Sequence, residues 1–265
     1  MPKLSIGEIT LFYEEFGPTQ PARQASRPVL LIHGSTSTGR NDWDGVIDDL
    51  AERRRVIVPD CRGHGRSPNP RASYAFREMA ADLAELTRRL DAAPAHIVGH
   101  SNGGNVALVM TLEEAGVVAS ATIQAGNAYV SPDLLDREPP LFDPDRVDRE
   151  SPAWRDEMIR LHGVTHGPEY WRTLLRITLA EILAAPNYAP DDLARVATPT
   201  LVIEGERDPV NAPAGHGAFI ARHIPGAQLW RPATVGHNVH LEAREAWLAQ
   251  VLKYWEACER GEGIS

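Results

Sequence analysis

The sequence has few cysteines and no long apolar run, and each shortage excludes a class of protein. Its two cysteines, Cys61 and Cys258, lie far apart and form no Cys-x-x-Cys pair, so their spacing indicates neither a disulfide framework nor a zinc site. No apolar run approaches the roughly 18 residues of a membrane span. Residues 1–5 carry no apolar segment after their charge, unlike a secretory signal. We expect a cytoplasmic protein with no metal and no cofactor.

Positive charge is also scarce in this chain. Lysine and arginine total 27 against 36 aspartates and glutamates, which gives a net charge of −9. Such a chain has no basic surface for a phosphate backbone or an anionic lipid, so neither nucleic acid nor a membrane is expected as a partner. A small-molecule substrate with little or no charge is favoured. The oligomeric state stays open, with a homodimer as one option.

Apolar runs and amphipathic stretches alternate along the chain. Its 265 residues, 43% of them hydrophobic, suffice for a sizeable core, and α/β folds of this length often form one unit. A polar turn is expected at 17–28. The predicted strands cover 8–16, 29–32, 56–59, 96–98, 117–123, 200–203 and 227–231, and the predicted helices 43–50, 76–90, 105–112 and 242–258. This alternation predicts an α/β fold with a mostly parallel central sheet covered by helices on both faces.

The composition changes after Asn127. Proline, aspartate and arginine are frequent over 131–155, two helical patterns follow, and no strand pattern returns before residue 200. We therefore predict a core formed by 1–127 and 196–265, with 128–195 inserted as a helical cap over the carboxyl edge of the sheet. Four residues of this cap are candidates for lining a pocket, although packing or surface is the commoner role for such residues: His162, His166, Tyr170 and Trp171.

A Gly-x-Ser-x-Gly pattern lies between a predicted strand and a predicted helix, as Gly99-His100-Ser101-Asn102-Gly103. This strand-turn-helix context is the one that the pattern requires. So sharp a turn is expected to strain the backbone at Ser101 and to leave no room for side chains at the glycines. The N–H of Asn102 is expected at the helix N-terminus, where free donors favour a developing negative oxygen. Ser101 is thus a candidate nucleophile, and the Asn102 amide a candidate oxyanion donor.

A run of small residues, 33–39, follows the predicted strand 29–32. A backbone can approach a ligand closely at such a place, so the amide of Ser35 is a candidate second oxyanion donor. An ordinary turn is the alternative. In a later loop, 60–67, Arg62 and His64 are interpreted as structural residues. Cys61 is interpreted as a small buried residue and not as a reactive thiol.

Three candidate groups follow three predicted parallel strands in the order Ser101, Asp208, His237. Ligand sites of open α/β sheets lie at the edge formed by the carboxyl ends of the parallel strands. Since a serine hydroxyl is a poor nucleophile until a base accepts its proton, His237 is the candidate base. Asp208 is the candidate group that fixes the tautomer of His237 and stabilises its charged form.

Other acids compete with Asp208 for this role. Glu204 and Glu206 flank the same strand end, but Glu204 is expected to belong to the strand itself. Asn127, at the end of the preceding predicted strand, cannot carry a negative charge. Asp208 is therefore preferred.

Other histidines also lie near the predicted site. His240 is the nearest rival to His237, since it follows the same strand only three residues later. His33 and His100 are interpreted as residues that shape their loops.

Together these residues resemble the α/β-hydrolase fold superfamily over nearly the whole chain. The resemblance rests on Leu31-Ile32-His33-Gly34, the Asp60–Ser67 loop, the Gly99–Gly103 turn, Gly205–Asp208 and Gly236-His237. The order of nucleophile, acid and histidine is also that of the superfamily. The resemblance implies a serine-type triad acting through an acyl-enzyme, oxyanion donors at Ser35 and Asn102, and a helical cap that shapes the pocket.

Departures from family patterns argue against several of the reactions known in this superfamily. Ser101 stands where epoxide hydrolases and haloalkane dehalogenases carry Asp, which argues against both. Lysine occurs only at positions 3 and 253, which argues against hydroxynitrile lyases with an active-site lysine. Asn238 follows the candidate base where carbon–carbon bond hydrolases of the meta-cleavage type usually carry Trp. Hydrolysis of a carboxylic ester or lactone is the favoured function.

Two other classes of function stay open. The first is cofactor-independent chemistry on the same scaffold, such as perhydrolase or haloperoxidase-like activity, oxygenation, or carbon–carbon bond hydrolysis. The second is a ligand-binding receptor of low turnover. Substrate identity is not readable from the sequence, because the fold is a weak guide to chemistry.

Overall fold

The structure is a computed structural model that describes residues 2–18 and 26–261. Most of the turn predicted at 17–28 therefore lies outside the described residues. Eight strands form one sheet in this region. They are β1 (Lys3–Ile6), β2 (Ile9–Phe16), β3 (Val29–Ile32), β4 (Val56–Pro59), β5 (Ala95–His100), β6 (Val118–Gln124), β7 (Thr200–Ile203) and β8 (Gln228–Trp230).

The sheet has the order β1-β2-β4-β3-β5-β6-β7-β8. Every pair from β4 to β8 is parallel, while β1 and β2 pair antiparallel with their neighbours. After β4 the chain crosses β3 and continues on its other side, so β3 and β5 are neighbours, with Ile32 opposite Gly99. Loops leaving such neighbouring strands in opposite directions open a crevice at their carboxyl ends, and this is the usual ligand site of an open α/β sheet.

The helices alternate with these strands. They are α1 (Gly39–Ala51), α2 (Phe76–Arg89), α3 (Asn102–Glu113), α4 (Pro132–Leu141), α5 (Pro144–Glu150), α6 (Pro152–His166), α7 (Tyr170–Ile182), α8 (Pro190–Leu193), α9 (His216–His223), α10 (Val239–Glu242) and α11 (Arg244–Arg260). A 3-10 turn spans Ala115–Val117. None of the helices in the described ranges is both long enough and apolar enough to cross a membrane.

Two hydrophobic clusters cover the two faces of the sheet. Alternate residues of a strand point to opposite faces, so Leu30 and Ile32 pack with α2, α3 and α9, whereas Val29 and Leu31 pack with α1 and α11. The continuous apolar run of β3 is explained by this double burial. The predicted fold class, an α/β fold with a mostly parallel sheet covered on both faces, is confirmed.

Five helices, α4 to α8, connect β6 to β7 and are called here the helical insertion. Part of it has a small core of its own, formed by Phe142, Val147, Met158, Trp171, Leu175 and Ile182. The sequence pattern predicted two helices in this region and missed α4, α5 and α8. The helices α4 and α5 are short, and each begins with proline after a capping residue, Ser131 or Asp143, whose side chain accepts backbone N–H bonds.

Other differences from the predicted elements are small. The strand β1 was not predicted, and it lies at the sheet edge with half of its residues exposed. The predicted helix 43–50 begins earlier, at Gly39, because the Thr38 side chain caps it. The predicted closing helix 242–258 is divided into α10 and α11 at Ala243.

Candidate active site

Ser101 occupies the turn between β5 and α3. Its backbone has φ 55° and ψ −122°, a conformation that non-glycine residues rarely adopt. A Cβ at Gly99 would lie 2.0 Å from the carbonyl oxygen of Gly103, and one at Gly103 would lie 2.3 Å from that of Ile32. Only glycine fits at either position, so the expected strained turn and its glycines are present.

Asp208 and His237 lie together at the carboxyl edge of the sheet. The Nδ1 atom of His237 is 3.0 Å from both carboxylate oxygens of Asp208. The Asp208 side chain is fully buried, whereas that of His237 is 22% exposed. Because a carboxylate only accepts hydrogen bonds, Nδ1 donates and the Nε2 lone pair is left to accept a proton.

The charge of Asp208 is stabilised by its surroundings. Burial alone raises the pKa of this carboxyl, but the hydrogen bond and charge of His237 act in the opposite direction. The amides of Val210 and Asn211 also donate to it, at 2.8 and 3.3 Å. These groups together hold the pKa of Asp208 below its ordinary value. Asp208 is therefore ionised at neutral pH, as a partner for a protonated histidine has to be.

Asp42 holds the loop after β3 in place. A carboxylate oxygen of Asp42 accepts the N–H of Gly34 at 2.8 Å and the Nδ1–H of His100 at 3.0 Å. Burial opposes this charge, but the charge and hydrogen bond of His100 hold the pKa of Asp42 well below its ordinary value. The Gly34 contact places the next residue, Ser35, on the wall of the same pocket as Ser101.

The helical insertion also holds the loop after β3 in place. Thr36 has a left-handed φ of 59°. Its carbonyl oxygen accepts the Nε2–H of His162 at 2.9 Å, and its hydroxyl accepts the indole N–H of Trp154 at 3.3 Å. The Nδ1 atom of His162 accepts the N–H of Gly65 at 2.8 Å. His162 therefore links the insertion to two loops of the sheet edge.

These groups surround one pocket of about 380 Å³. The five predicted site residues divide between its wall and the layer behind it. Ser101, His237, Ser35 and Asn102 line the pocket, and Asp208 lies behind His237. The rest of the lining is Gly34, Thr36, Asp42, His100, Ala125, Asn127, Leu134, Glu138, Leu141, Phe142, Trp154, Ile182, Val210, Asn211 and Asn238.

The rival acids have other partners. Glu204 is buried, accepts the N–H of Gly217 at 2.7 Å and lies 3.2 Å from Arg231. Glu206 is exposed. Asn127 accepts a hydrogen bond from the side chain of Asn105 and donates to the carbonyl oxygen of Tyr129. None of these three side chains is bonded to His237 in the described parts of the chain.

The rival histidine, His240, is fully buried. Its Nε2–H donates to the carbonyl oxygen of Asp42 at 2.9 Å, and its Nδ1 accepts from Gln124 at 2.7 Å. Burial lowers the pKa of His240 to about 3. With both nitrogens engaged, His240 has no free lone pair for a substrate proton.

Asp42, His100 and His240 place their ligand atoms within 4.8 Å of one another, close enough to hold a metal ion. The contacts already described use the Nδ1 atom of His100 and both nitrogens of His240 within the protein. Nε2 of His100 has no partner among the described residues, but the other contacts form a hydrogen-bond network that a metal ion would have to displace.

The loop residues interpreted as structural have structural contacts. Arg62 makes two hydrogen bonds to the carboxylate of Asp82, at 2.6 and 2.9 Å. His64 bonds the carbonyl oxygen of Arg62. His33 accepts the N–H of Cys61 at 3.0 Å, and burial raises the pKa of the Cys61 thiol, which stays protonated. These contacts are the structural ones expected of Arg62, His64 and His33.

The four insertion residues named from the sequence do not line this pocket. Instead the wall receives Leu134, Glu138, Leu141, Phe142, Trp154 and Ile182 from the insertion. The sequence contained a signal for the first three of these residues, because Leu134, Glu138 and Leu141 recur at the i, i+4 and i+7 spacing of one helix face. Glu138 interrupts that apolar face and was missed for this reason.

Comparisons with known proteins agree with this architecture. Residues 29–251 match a family described as the alpha/beta hydrolase family. The serine hydrolase BPHL of Homo sapiens is 27% identical over 248 residues, which cover 90% of this chain and 80% of that protein. The 3-oxoadipate enol-lactonase 2 of Acinetobacter baylyi is 27% identical over 237 residues, 85% of this chain and 86% of that one. The solved structure of a hydrolase from Pseudomonas aeruginosa matches with a TM-score of 0.75 at 26% identity, covering 96% of this chain and 97% of that one.

Proposed function

The chain belongs to the alpha/beta hydrolase family and is a hydrolase, and from this premise we propose that it cleaves a carboxylic ester or a lactone through an acyl-enzyme on Ser101. One observation carries the proposal. His237 Nδ1 lies 3.0 Å from both oxygens of the buried Asp208, while His237 and Ser101 line the same pocket. A histidine oriented by a carboxylate in this way can accept the proton of a serine that lies within its reach.

The first half of the reaction forms the acyl-enzyme. Ser101 Oγ attacks the carbonyl carbon of the substrate while His237 Nε2 takes the hydroxyl proton. Asp208 stabilises the resulting imidazolium. The amides of Ser35 and Asn102 bind the oxygen that becomes negative, and the Asn102 amide lies at the N-terminus of α3, where the helix dipole adds to this effect.

Loss of the alcohol completes the acyl-enzyme, and water then releases the acid. The tetrahedral intermediate collapses, the bond to the alcohol oxygen breaks, and His237 gives its proton to that oxygen. Water then donates a proton to His237 as it attacks the acyl carbon, and Ser101 leaves with the proton returned from His237. With a lactone the same bond breaks and the alcohol stays attached to the acyl chain.

We further propose that residues 128–195 act as the cap that selects the substrate. The proposal is supported by the six pocket-lining residues that α4, α6, α7 and the residue after α4 supply. The substrate is expected to be small, and uncharged or weakly charged. The cytoplasmic location and the homodimer stay predictions.

The first experiment measures hydrolysis of nitrophenyl esters of increasing acyl length and of simple lactones. Replacing Ser101 by Ala is expected to lower kcat by at least about a thousandfold, because the nucleophile is removed. Ser37→Ala is the matched control, since Ser37 lies in the loop after β3 but not on the pocket wall. Retention of the wild-type rate by Ser101→Ala would refute the proposal.

Mass spectrometry separates this proposal from cofactor-independent chemistry. Brief incubation with an ester is expected to add the mass of the acyl group to the wild-type chain and not to Ser101→Ala. Turnover that depends on Ser101 without any acyl-enzyme would favour the alternative chemistry.

A further inference from the structure

Glu138 is a buried carboxyl group on the pocket wall. It lies on α4 and is 3% exposed. Its Oε1 atom is buried and has no hydrogen-bond partner among the described residues. A buried acceptor without a donor is unfavourable, because it has lost its hydrogen bonds to water and gained none in return. Such a group in a pocket indicates a bond that is made only when the pocket is filled.

Its neighbours on the wall do not supply that bond. Leu134, Leu141 and Phe142 of the insertion are apolar. Across the pocket, the side-chain amide of Asn211 donates to the carbonyl oxygen of Ala125 at 2.6 Å. Asn127 is already bonded to Asn105 and Tyr129, as described above. The lining contains one other buried side-chain atom without a partner, Nε2 of His100, and the ring of His100 packs against that of His237.

Arg137 is the neighbouring charge, and its two terminal nitrogens are bonded elsewhere. Its Nε atom is buried and also has no hydrogen-bond partner among the described residues. It forms an ion pair with Oε1 of Glu138 at 3.9 Å, too far for a hydrogen bond. Its two terminal nitrogens donate to the carbonyl oxygens of Pro209 and Val210, in the loop that carries Asp208. Arg137 thus compensates the charge of Glu138 in part and leaves its acceptor atom unfilled. Burial raises the pKa of Glu138, and Arg137 acts against this rise.

We propose that Glu138 binds a hydrogen-bond donor on the substrate, an O–H or N–H group carried by the acyl or alcohol part away from the scissile carbonyl. The inference rests on the proposed function and names its substrate class: polar-substituted esters or lactones and not plain aliphatic ones. Beside the apolar Leu134, Leu141 and Phe142 this bond discriminates strongly, since a substrate without the donor leaves a buried acceptor unpaired. Glu138 is thereby a specificity-determining residue.

The test compares ratios of kcat/KM for substrates that differ only in the donor. Nitrophenyl hexanoate is set against the 3-hydroxyhexanoate, 6-hydroxyhexanoate and 6-aminohexanoate esters. In the wild type at least one donor-bearing ester is expected to exceed hexanoate by about ten- to a hundredfold, as a hydrogen bond to a charged group supplies. Glu138→Leu is expected to abolish this preference. Asp136→Asn, an exposed carboxyl on the same helix, is the matched control and is expected to keep it.

Glu138→Gln distinguishes a hydroxyl donor from an ammonium donor on the substrate. A glutamine keeps an acceptor oxygen but no charge, so a preference for a hydroxyl ester should fall only in part, whereas one for the ammonium ester should disappear. Equal ratios in the wild type and Glu138→Leu for every ester would overturn the inference.

Binding to Ser101→Ala separates this inference from the proposed reaction. Calorimetry with hexanamide, 6-hydroxyhexanamide and 6-aminohexanamide needs no hydrolysis. A donor-bearing amide is expected to bind more tightly than hexanamide, and the added Glu138→Leu change is expected to remove that difference. Absence of ester hydrolysis with this binding pattern intact would reject the reaction and keep the donor site. Ester hydrolysis without this binding pattern would keep the reaction and reject the donor site.

Discussion

The link between the insertion and the sheet edge predicts a loss of stability in mild acid. His162 is 1% exposed, accepts the N–H of Gly65 and donates to the carbonyl oxygen of Thr36. Only the neutral ring can do both, because a protonated ring has no lone pair for Gly65. Burial lowers the pKa of His162 to about 4. The carbonyl oxygen of Thr36 and the charge of Glu157 favour the proton, while His33 and His166 oppose it.

The sign and size of the effect follow from this pKa. Above pH 6.5 the residue is neutral in the folded and unfolded chains alike. Between 6.5 and 4 the unfolded chain binds a proton that the folded chain does not, so the stability present above 6.5 is lost as the pH falls. At about 1.36 kcal/mol for each pKa unit, this interval amounts to about 3 kcal/mol.

The perturbation that isolates this term is His162→Gln, whose amide both accepts and donates but does not titrate. Urea unfolding followed by tryptophan fluorescence, at steps from pH 7.5 to 4, gives the free energy of unfolding of each variant. The wild type is expected to lose about 3 kcal/mol relative to the variant over this range. His223→Gln, which removes a half-buried histidine of α9, controls for histidines outside the link. A difference between wild type and His162→Gln that stays constant from pH 7.5 to 4 would refute the reasoning.

Two further predictions concern the acid and the turn at the nucleophile. Asp208→Asn is expected to lower kcat by about 10⁴-fold while the circular dichroism spectrum is unchanged, because an amide cannot stabilise the charged histidine. The exposed rival Glu206→Gln should keep the wild-type rate, and equal losses in both variants would contradict the assignment. Gly103→Ala places a Cβ 2.3 Å from the carbonyl oxygen of Ile32 and is expected to lower the melting temperature and abolish hydrolysis. Gly116→Ala, whose Cβ meets nothing within 4 Å, should be tolerated in the same thermal scan.

Local patterns in the sequence were sufficient for seven of the eight strands and for the turn at Ser101. A strand covered on both faces needs an unbroken apolar run, and β3 shows one in four consecutive residues. A sharp turn between strand and helix needs glycines on either side of Ser101, and Gly99 and Gly103 each lie two residues from it in the chain. Features of this kind are determined by residues close in sequence, so they can be predicted from it.

Only the tertiary structure shows that His237 and His240 have different surroundings. The two residues follow the same strand and differ little in local context. His237 meets Asp208 from another loop, while His240 is buried between Asp42 and Gln124. Each of these partners is at least 29 residues away along the chain, so no local pattern records the pairing.

The part of the pocket wall that the insertion supplies was likewise not predicted from the sequence. The insertion residues with the most conspicuous chemistry, His162 and Trp171, hold loops and fill a core, whereas Glu138 reaches the pocket from a short polar helix. Which face of an inserted helix meets the sheet edge depends on how the helices pack against one another. The sequence therefore determined most of the elements and the order of the candidate catalytic groups, and the packing of distant segments decided which side chains meet at the site.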